Sequence, residues 1–143
     1  MKTKVLIKVI LICILFFGIF LFFNLTNFQQ FESDKVSYNT SVKRVGAKEY
    51  TTDIQFSYEV THGQERSFLI YVNKGSLKLT CQNIKGTNKI TVKIKDKSGR
   101  LVYEKDIGDG TSQKIKIANL KEGEYKIIIV FRKGFGEGRI KIE

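Results

Sequence analysis

Histidine occurs once in this chain, as His62, and tryptophan and proline do not occur at all. A lone histidine with no cysteine cluster argues against a histidine-based transition-metal site. A Ser-His-Asp arrangement would have to be gathered from scattered residues around the "THGQE" turn. The two cysteines lie far apart, Cys13 in an apolar N-terminal run and Cys81 in "SLKLTCQ". They cannot pair, so a disulfide-stapled scaffold is excluded. Cys81 follows Leu77 and Leu79 at alternate positions, which aims it at a core as an inert thiol. Small residues are missing after the apolar run: "FFNLTNFQQFESD" has neither alanine nor glycine for signal cleavage. Cys13 is preceded by Ile12, only four apolar residues beyond Lys8, which does not fit a lipoprotein signal. After residue 46 no stretch carries a helical period, so a crossover helix and a parallel sheet are excluded.

The N-terminus is rich in what the rest lacks. Val5 to Phe23 is a run of 19 residues with one charge. As helix it would extend about 28 Å, close to a hydrocarbon core of about 30 Å. Lys2, Lys4 and Lys8 precede the apolar stretch, which keeps the N-terminus cytoplasmic and sends Asn24 onward outside. The expectation is an uncleaved signal anchor over residues 1–23, a juxtamembrane stalk over 24–46, and an extracytoplasmic domain over 47–143. A cleaved signal peptide is the competing reading. The chain holds 25 Lys or Arg against 14 Asp or Glu, and setting aside the three early lysines still leaves 22 against 14. Recurring Lys, Ile and Asn reflect an AT-rich genome as much as selection for charge.

From Ala47 the period becomes two. In "EYTTDIQFSYEV", Tyr50, Thr52, Ile54, Phe56, Tyr58 and Val60 face one way, with Thr51, Asp53, Gln55, Ser57 and Glu59 opposite. "RSFLIYV", "SLKLTCQ", "KITVKIKD", "RLVYEKDI", "QKIKIAN", "EYKIIIVFR" and "GRIKIE" follow, divided by turn signals, of which "DKSG" is a hairpin type. This cadence predicts an all-β fold, an antiparallel β-sandwich of about 7–8 strands, Ig-like or jelly-roll-like, preceded by one N-terminal transmembrane helix. Gly134, Gly136 and Gly138 precede an alternating strand, not a helix, so they form no phosphate loop. They are read as a turn or bulge before the last strand, with Phe135 capping the end of the sandwich.

Two further features bear on binding. "DIGDGTS" places Asp106, Asp109 and Ser112 around two glycines, oxygen ligands of the kind calcium takes, though a tight turn needs the same residues. Lys93, Lys95, Lys114, Lys116, Lys126, Arg139 and Lys141 take outward positions on alternating strands. As neighbours in one sheet they would form a cationic face for anionic lipid headgroups or phosphate-bearing envelope polymers. Nucleic acid fits less well, because no aromatic is interleaved on that face and the domain lies outside the cell. The plainer reading is a solvated face with lysines guarding sheet edges.

The stretch from Lys89 to Phe131 resembles the β-sandwich modules of bacterial cell-surface proteins and small lipoproteins. It carries a "D-x-x-G-x-x-V" hairpin at Asp96, Gly99 and Val102, then "L-x-x-G-x-Y-x-I-x-I" at Leu120, Gly123, Tyr125, Ile127 and Ile129. These are turn and core positions, so the resemblance implies a fold and transfers no site. Together the readings anticipate a membrane-anchored, extracytoplasmic, non-enzymatic module without cofactor, acting as a binding or structural element at a bacterial cell surface. The alternative is a secreted, carbohydrate-binding-like module released after cleavage.

Overall fold

The computed structural model describes residues 2–27, 34–73, 75–110 and 112–143, with helix side chains described for Thr3 and residues 7–19. Residues 28–33 of the expected stalk, and Lys74 and Thr111 in two expected turns, lie outside the described residues. The chain divides into two compact units, Met1–Glu32 and Ser33–Glu143. The first contains α1 (Lys2–Asn27). Apart from Lys8, the side chains described from Ile7 to Ile19 carry no charge, and all are exposed, Phe16 at 69% and Phe17 at 65%. Among the described residues no helix is long and apolar enough to cross a membrane.

The second unit contains nine strands: β1 (Lys35–Val45), β2 (Lys48–Val60), β3 (Gln64–Val72), β4 (Leu77–Gly86), β5 (Ile90–Asp96), β6 (Leu101–Ile107), β7 (Gln113–Ile117), β8 (Gly123–Phe131) and β9 (Gly134–Ile142). They form a five-stranded sheet in the order β1-β2-β9-β4-β7 and a four-stranded sheet in the order β3-β8-β5-β6. Each described pairing is antiparallel. Without β1, the eight remaining strands trace a jelly roll. Only β1–β2 and β5–β6 are hairpins within a sheet; the other connections between consecutive strands pass between sheets.

Local chemistry sets both hairpins. Gly46 supplies the left-handed backbone (φ 64°) between β1 and β2. In "DKSG", Gly99 (φ 85°) donates its N–H to the Asp96 carbonyl at 2.9 Å. The Asp96 carboxylate accepts from the Ser98 hydroxyl at 2.6 Å and from the Arg100 N–H at 3.0 Å. Asparagine and aspartate turns of this kind replace backbone partners with a side chain.

Alternating β-branched and aromatic residues meet between the sheets. Ile54, Ile70, Leu79, Val92, Ile94, Ile127, Ile129 and Ile140 have no exposed surface, and Phe131 packs on Phe56 and Tyr58 with ring centroids 5.4 and 4.7 Å away. At about 25 cal/mol per Å2 of buried apolar surface, this inner layer is the main source of stability.

Four expectations are corrected. The described residues form nine strands, because β1 lies upstream of the point where the alternation begins. Thr51 is buried, not outward: Ser41 pairs with Asp53 and Val42 with Thr51, so Thr52 is an extra residue that shifts the phase of β2. Gly134, Gly136 and Gly138 lie within β9, opposite Val60, Tyr58 and Phe56 on β2. Two of them leave room for inward side chains: a Cβ on Gly138 would stand 2.8 Å from Phe56 Cζ, and one on Gly136 would stand 2.7 Å from Tyr58 Cε1, whereas one on Gly134 (φ 133°) would meet Thr87. Phe135 between them is 61% exposed and caps nothing.

Candidate functional site

The seven basic positions do not share a face. Lys93, Lys95 and Lys126 lie on the outer side of the four-stranded sheet, where Lys95 stands opposite Lys126 and Lys93 stands between Glu104 and Ile128. Lys114, Lys116, Arg139 and Lys141 lie on the outer side of the five-stranded sheet, alternating with buried Ile115, Ile117, Ile140 and Ile142. Two inward-facing rows therefore fix where these charges point.

On the five-stranded sheet a fifth basic residue joins them. Lys78, between buried Leu77 and Leu79, pairs directly with Lys116 across β4 and β7. Thr80 separates Lys114 on β7 from Lys141 on β9. Neighbouring strands are about 4.8 Å apart, so four ammonium groups occupy one corner of the sheet. Asp53 stands opposite Lys141 and Glu143 stands opposite Lys78, yet among the described residues none of the four lysines forms an ion pair with them, whereas Arg139 does: its Nε lies 2.9 Å from Asp53 Oδ1. The Arg139 hydrogen bond holds the Asp53 carboxyl below the usual carboxylate range despite partial burial. Like charges placed directly opposite each other destabilise a sheet pair. Lys78 carried the same alternating signal in "SLKLTCQ" as its neighbours, and only the pairing of β4 with β7 reveals its place.

Beside this corner the sheet is hollowed. Two adjoining depressions of about 570 and 630 Å3 share Ser37, Ser57 and Glu137. Across them run two rows in register: Asn39, Gln55, Arg139 and Gln82 in one, Ser37, Ser57, Glu137 and Lys85 in the next. The amides of Asn39, Gln55 and Gln82 have no hydrogen-bond partner among the described residues. Exposed Phe135 stands at the far end. Asn83, at φ 51°, carries β4 through the irregularity between Gln82 and Lys85 that opens this region.

Other candidate groups are committed to the fold. The Asp106 carboxylate accepts from the Thr91 hydroxyl at 2.6 Å and pairs with Arg132 at 3.1 Å. Asp109 accepts the Gly86 N–H at 2.7 Å. Among the described residues no cluster of acidic, histidine or cysteine side chains could hold a metal. Cys81 is buried, and burial pushes its thiol up to about 11, away from thiolate chemistry. His62 touches Thr61, whose hydroxyl donates to Asp34 at 2.7 Å. Asp34 also accepts from Gln64 and from the Thr61 N–H, so this group ties the start of β1 to the β2–β3 turn. That tie had no sequence signal, because its members are a lone aspartate and a distant turn. At the opposite end, Tyr50 and Tyr71 pack at 5.2 Å, and their hydroxyls donate to Glu124 and Glu122.

Among solved structures, the chain is similar to TmCBM61 in complex with beta-1,4-galactotriose, at 14% identity over 79% of this chain and 89% of that one, with a TM-score of 0.42. It is similar to BiXyn10A CBM1, at 12% identity over 78% of this chain and 91% of that one, TM-score 0.43. The CBM36-1 domain of a multidomain xylanase from the hindgut metagenome of Trinervitermes trinervoides is similar at 12% identity over 78% and 97%, TM-score 0.42. No curated protein matches. Residues 69–142, more than half of the chain, match the family described as secretion system C-terminal sorting domain. The matched stretch runs from β3 to the end of β9 and draws on both sheets, so the chain, an extracellular or cell-surface β-sandwich, belongs to that family.

Proposed function

We propose that the chain is a non-catalytic binding module displayed outside a bacterial cell, which engages an anionic envelope polymer or lipid headgroups. The contact is made by Lys78, Lys114, Lys116 and Lys141, together with Arg139 at their border. The observation that carries this reading is the lysine corner itself. Four like charges crowd one part of a sheet, more than Asp53 opposite Lys141 and Glu143 opposite Lys78 can balance, and a polyanion would relieve their repulsion. Lys93, Lys95 and Lys126 supply a weaker second face on the other sheet. An uncleaved anchor belongs to this proposal on the strength of the sequence: the run from Val5 to Phe23 has one charge in 19 residues and continues past the helix side chains that are described. Residues 1–23 then form the anchor, and the stalk that follows is short, because β1 begins at Lys35.

The test titrates the full chain with polyglutamate in an uncharged polyoxyethylene detergent and, separately, held by its helix in detergent-free phosphatidylcholine nanodiscs, with vesicles containing phosphatidylglycerol. Each lysine near an anionic surface contributes about 1 kcal/mol. Binding should weaken steeply as salt rises to physiological strength, where the Debye length is about 8 Å. Changing Lys78, Lys114, Lys116 and Lys141 together to Gln should remove most of it. The two arms separate polymer from lipid. Salt-insensitive binding, equal in both proteins, would reject the lysine corner. In cell fractions the chain should stay with membranes through a high-salt wash, and a soluble chain beginning beyond residue 23 would reject the anchor.

A further inference from the structure

We infer that the ligand of the five-stranded face is an acidic saccharide chain lying along β9, an inference that rests on the polyanion reading above and names its ligand class. The outward positions of β9 are Phe135, Glu137, Arg139 and Lys141. At about 3.4 Å per residue they extend for about 20 Å. One end is an exposed aromatic ring and the other is the lysine corner. The strand therefore presents a gradient from apolar to cationic, with hydrogen-bonding groups between.

The middle of that gradient separates saccharide from simple polyanion. Glu137 lies at its centre, in both depressions, and a carboxylate there repels a ligand that offers only negative charge. A hydroxyl-bearing ligand instead donates to it. The same holds for the amides of Asn39, Gln55 and Gln82, whose carbonyl oxygens need a donor and whose NH2 groups need an acceptor. Sugar hydroxyls are both. Ser37 and Ser57 add two more groups of that dual kind. Phe135, 61% exposed, offers a ring to the carbon–hydrogen face of a sugar. Acid groups on the same chain then meet Lys141, Lys114 and Lys78. Neutral hydrogen bonds give orientation and the lysines give attraction, a division found generally where charge steers binding.

The experiment compares polygalacturonate, which carries hydroxyls and one carboxylate per unit, with polyglutamate, which carries the carboxylate alone. The full chain, again in polyoxyethylene detergent so that no detergent sugar competes, is titrated with both at equal charge concentration. Polygalacturonate should bind about tenfold tighter, the scale of a few net hydrogen bonds. Asn39→Ala, Gln55→Ala and Gln82→Ala together should erase that preference while leaving polyglutamate binding as it was. An unchanged unfolding midpoint shows that the variant is folded. Fully methyl-esterified polygalacturonate, which keeps hydroxyls and loses charge, should bind more weakly than the acid form.

Equal affinity for the two acidic polymers, or a preference that survives the triple substitution, would overturn the saccharide. In that case the polyanion reading still stands if changing the four lysines to Gln weakens both. If neither acidic polymer binds, both readings fall. Equal binding of the esterified and acid forms would overturn the acidic character of the ligand.

Discussion

Placing a methyl group on Gly136 tests the packing of β9 more sharply than deleting a core side chain. A Cβ there would stand 2.7 Å from both Cε1 and Oη of Tyr58 and would fall inside contact with the Lys85 carbonyl oxygen. The ring can turn, but the carbonyl is fixed in the β4–β9 ladder, where Lys85 pairs with Glu137. Overpacking of this kind costs about 1–3 kcal/mol, and an immovable backbone atom places Gly136→Ala near the upper end. For a domain of this size that lowers Tm by roughly 10–20 °C. Gly138→Ala meets side chains instead: Phe56 Cζ at 2.8 Å and the Ile84 Cδ1 methyl, with Ile84 Cα at 3.3 Å. Ile84→Val deletes that methyl. In a double-mutant cycle it should recover about 1 kcal/mol for Gly138→Ala and nothing for Gly136→Ala. Gly63→Ala, whose nearest neighbour is the Phe131 carbonyl oxygen at 3.8 Å, is the neutral control. Urea unfolding of the detergent-held chain measures all of these. A Gly136→Ala midpoint equal to that of Gly63→Ala, or equal rescue at both sites, would refute the account of β9.

Two further outcomes follow from the core and from the titrating groups. Phe56→Ala removes a ring that is 3% exposed and should cost about 3–5 kcal/mol, whereas Ser57→Ala, on the open face, should stay within about 0.5 kcal/mol. Equal shifts of the denaturant midpoint would place β2 in the wrong register. Stability should also fall at both ends of the pH range. The carboxyls of Asp34 and Asp53 are held below the ordinary 3.8, chiefly by hydrogen bonds from Gln64 and Arg139. Their contribution is therefore present above about pH 4 and is lost as pH falls below it, and Asp53→Asn should flatten that acid slope. Cys81 runs the other way: its thiol is raised from 9.0 to about 11, so the fold keeps a proton that the unfolded chain releases. Stability should decline from about pH 9, and Cys81→Ala should remove the part that sets in between about pH 9 and 10, before Tyr50, Tyr58, Tyr71 and Tyr103, which burial also raises, add their own loss. A Cys81→Ala curve parallel to the wild type above pH 9 would contradict it.

Eight of the nine strands were legible: β2, β4, β7 and β9 alternate buried with polar positions over most of their length, while β6, with Ile107 its single buried residue, is marked by the turns that bound it. β1 was not, because it is an edge strand with little to bury. Ser37, Asn39 and Ser41 are exposed, and even Tyr38 and Val42 remain 53% and 51% exposed. The β2 bulge was hidden for a related reason: its cause lies in the pairing with β1, not in the sequence of β2. Alternation says which residues point outward but not which outside they point to. Lys95 and Lys116 occupy equivalent positions in similar strands, yet β5 and β7 belong to different sheets. The glycines of β9 misled for a third reason. Glycine signals a turn when only local backbone geometry matters, and here it marks where Tyr58 and Phe56 lie across the strand.

The order β1-β2-β9-β4-β7 places β9, last in chain order among the described strands, at the centre of its sheet. Until β9 has emerged, β2 and β4 each lack the neighbour that joins them, and the five-stranded layer remains two separate pieces, β1–β2 and β4–β7. A chain that emerges with β2 ahead of β9 therefore cannot complete its core until Gly134 to Ile142 have followed. In a chain delivered in that order, the five-stranded layer closes only once β9 has slotted between β2 and β4. The same topology makes loss of Gly134–Ile142 a deletion from the middle of the sheet, with consequences far greater than those of trimming β1 from its edge.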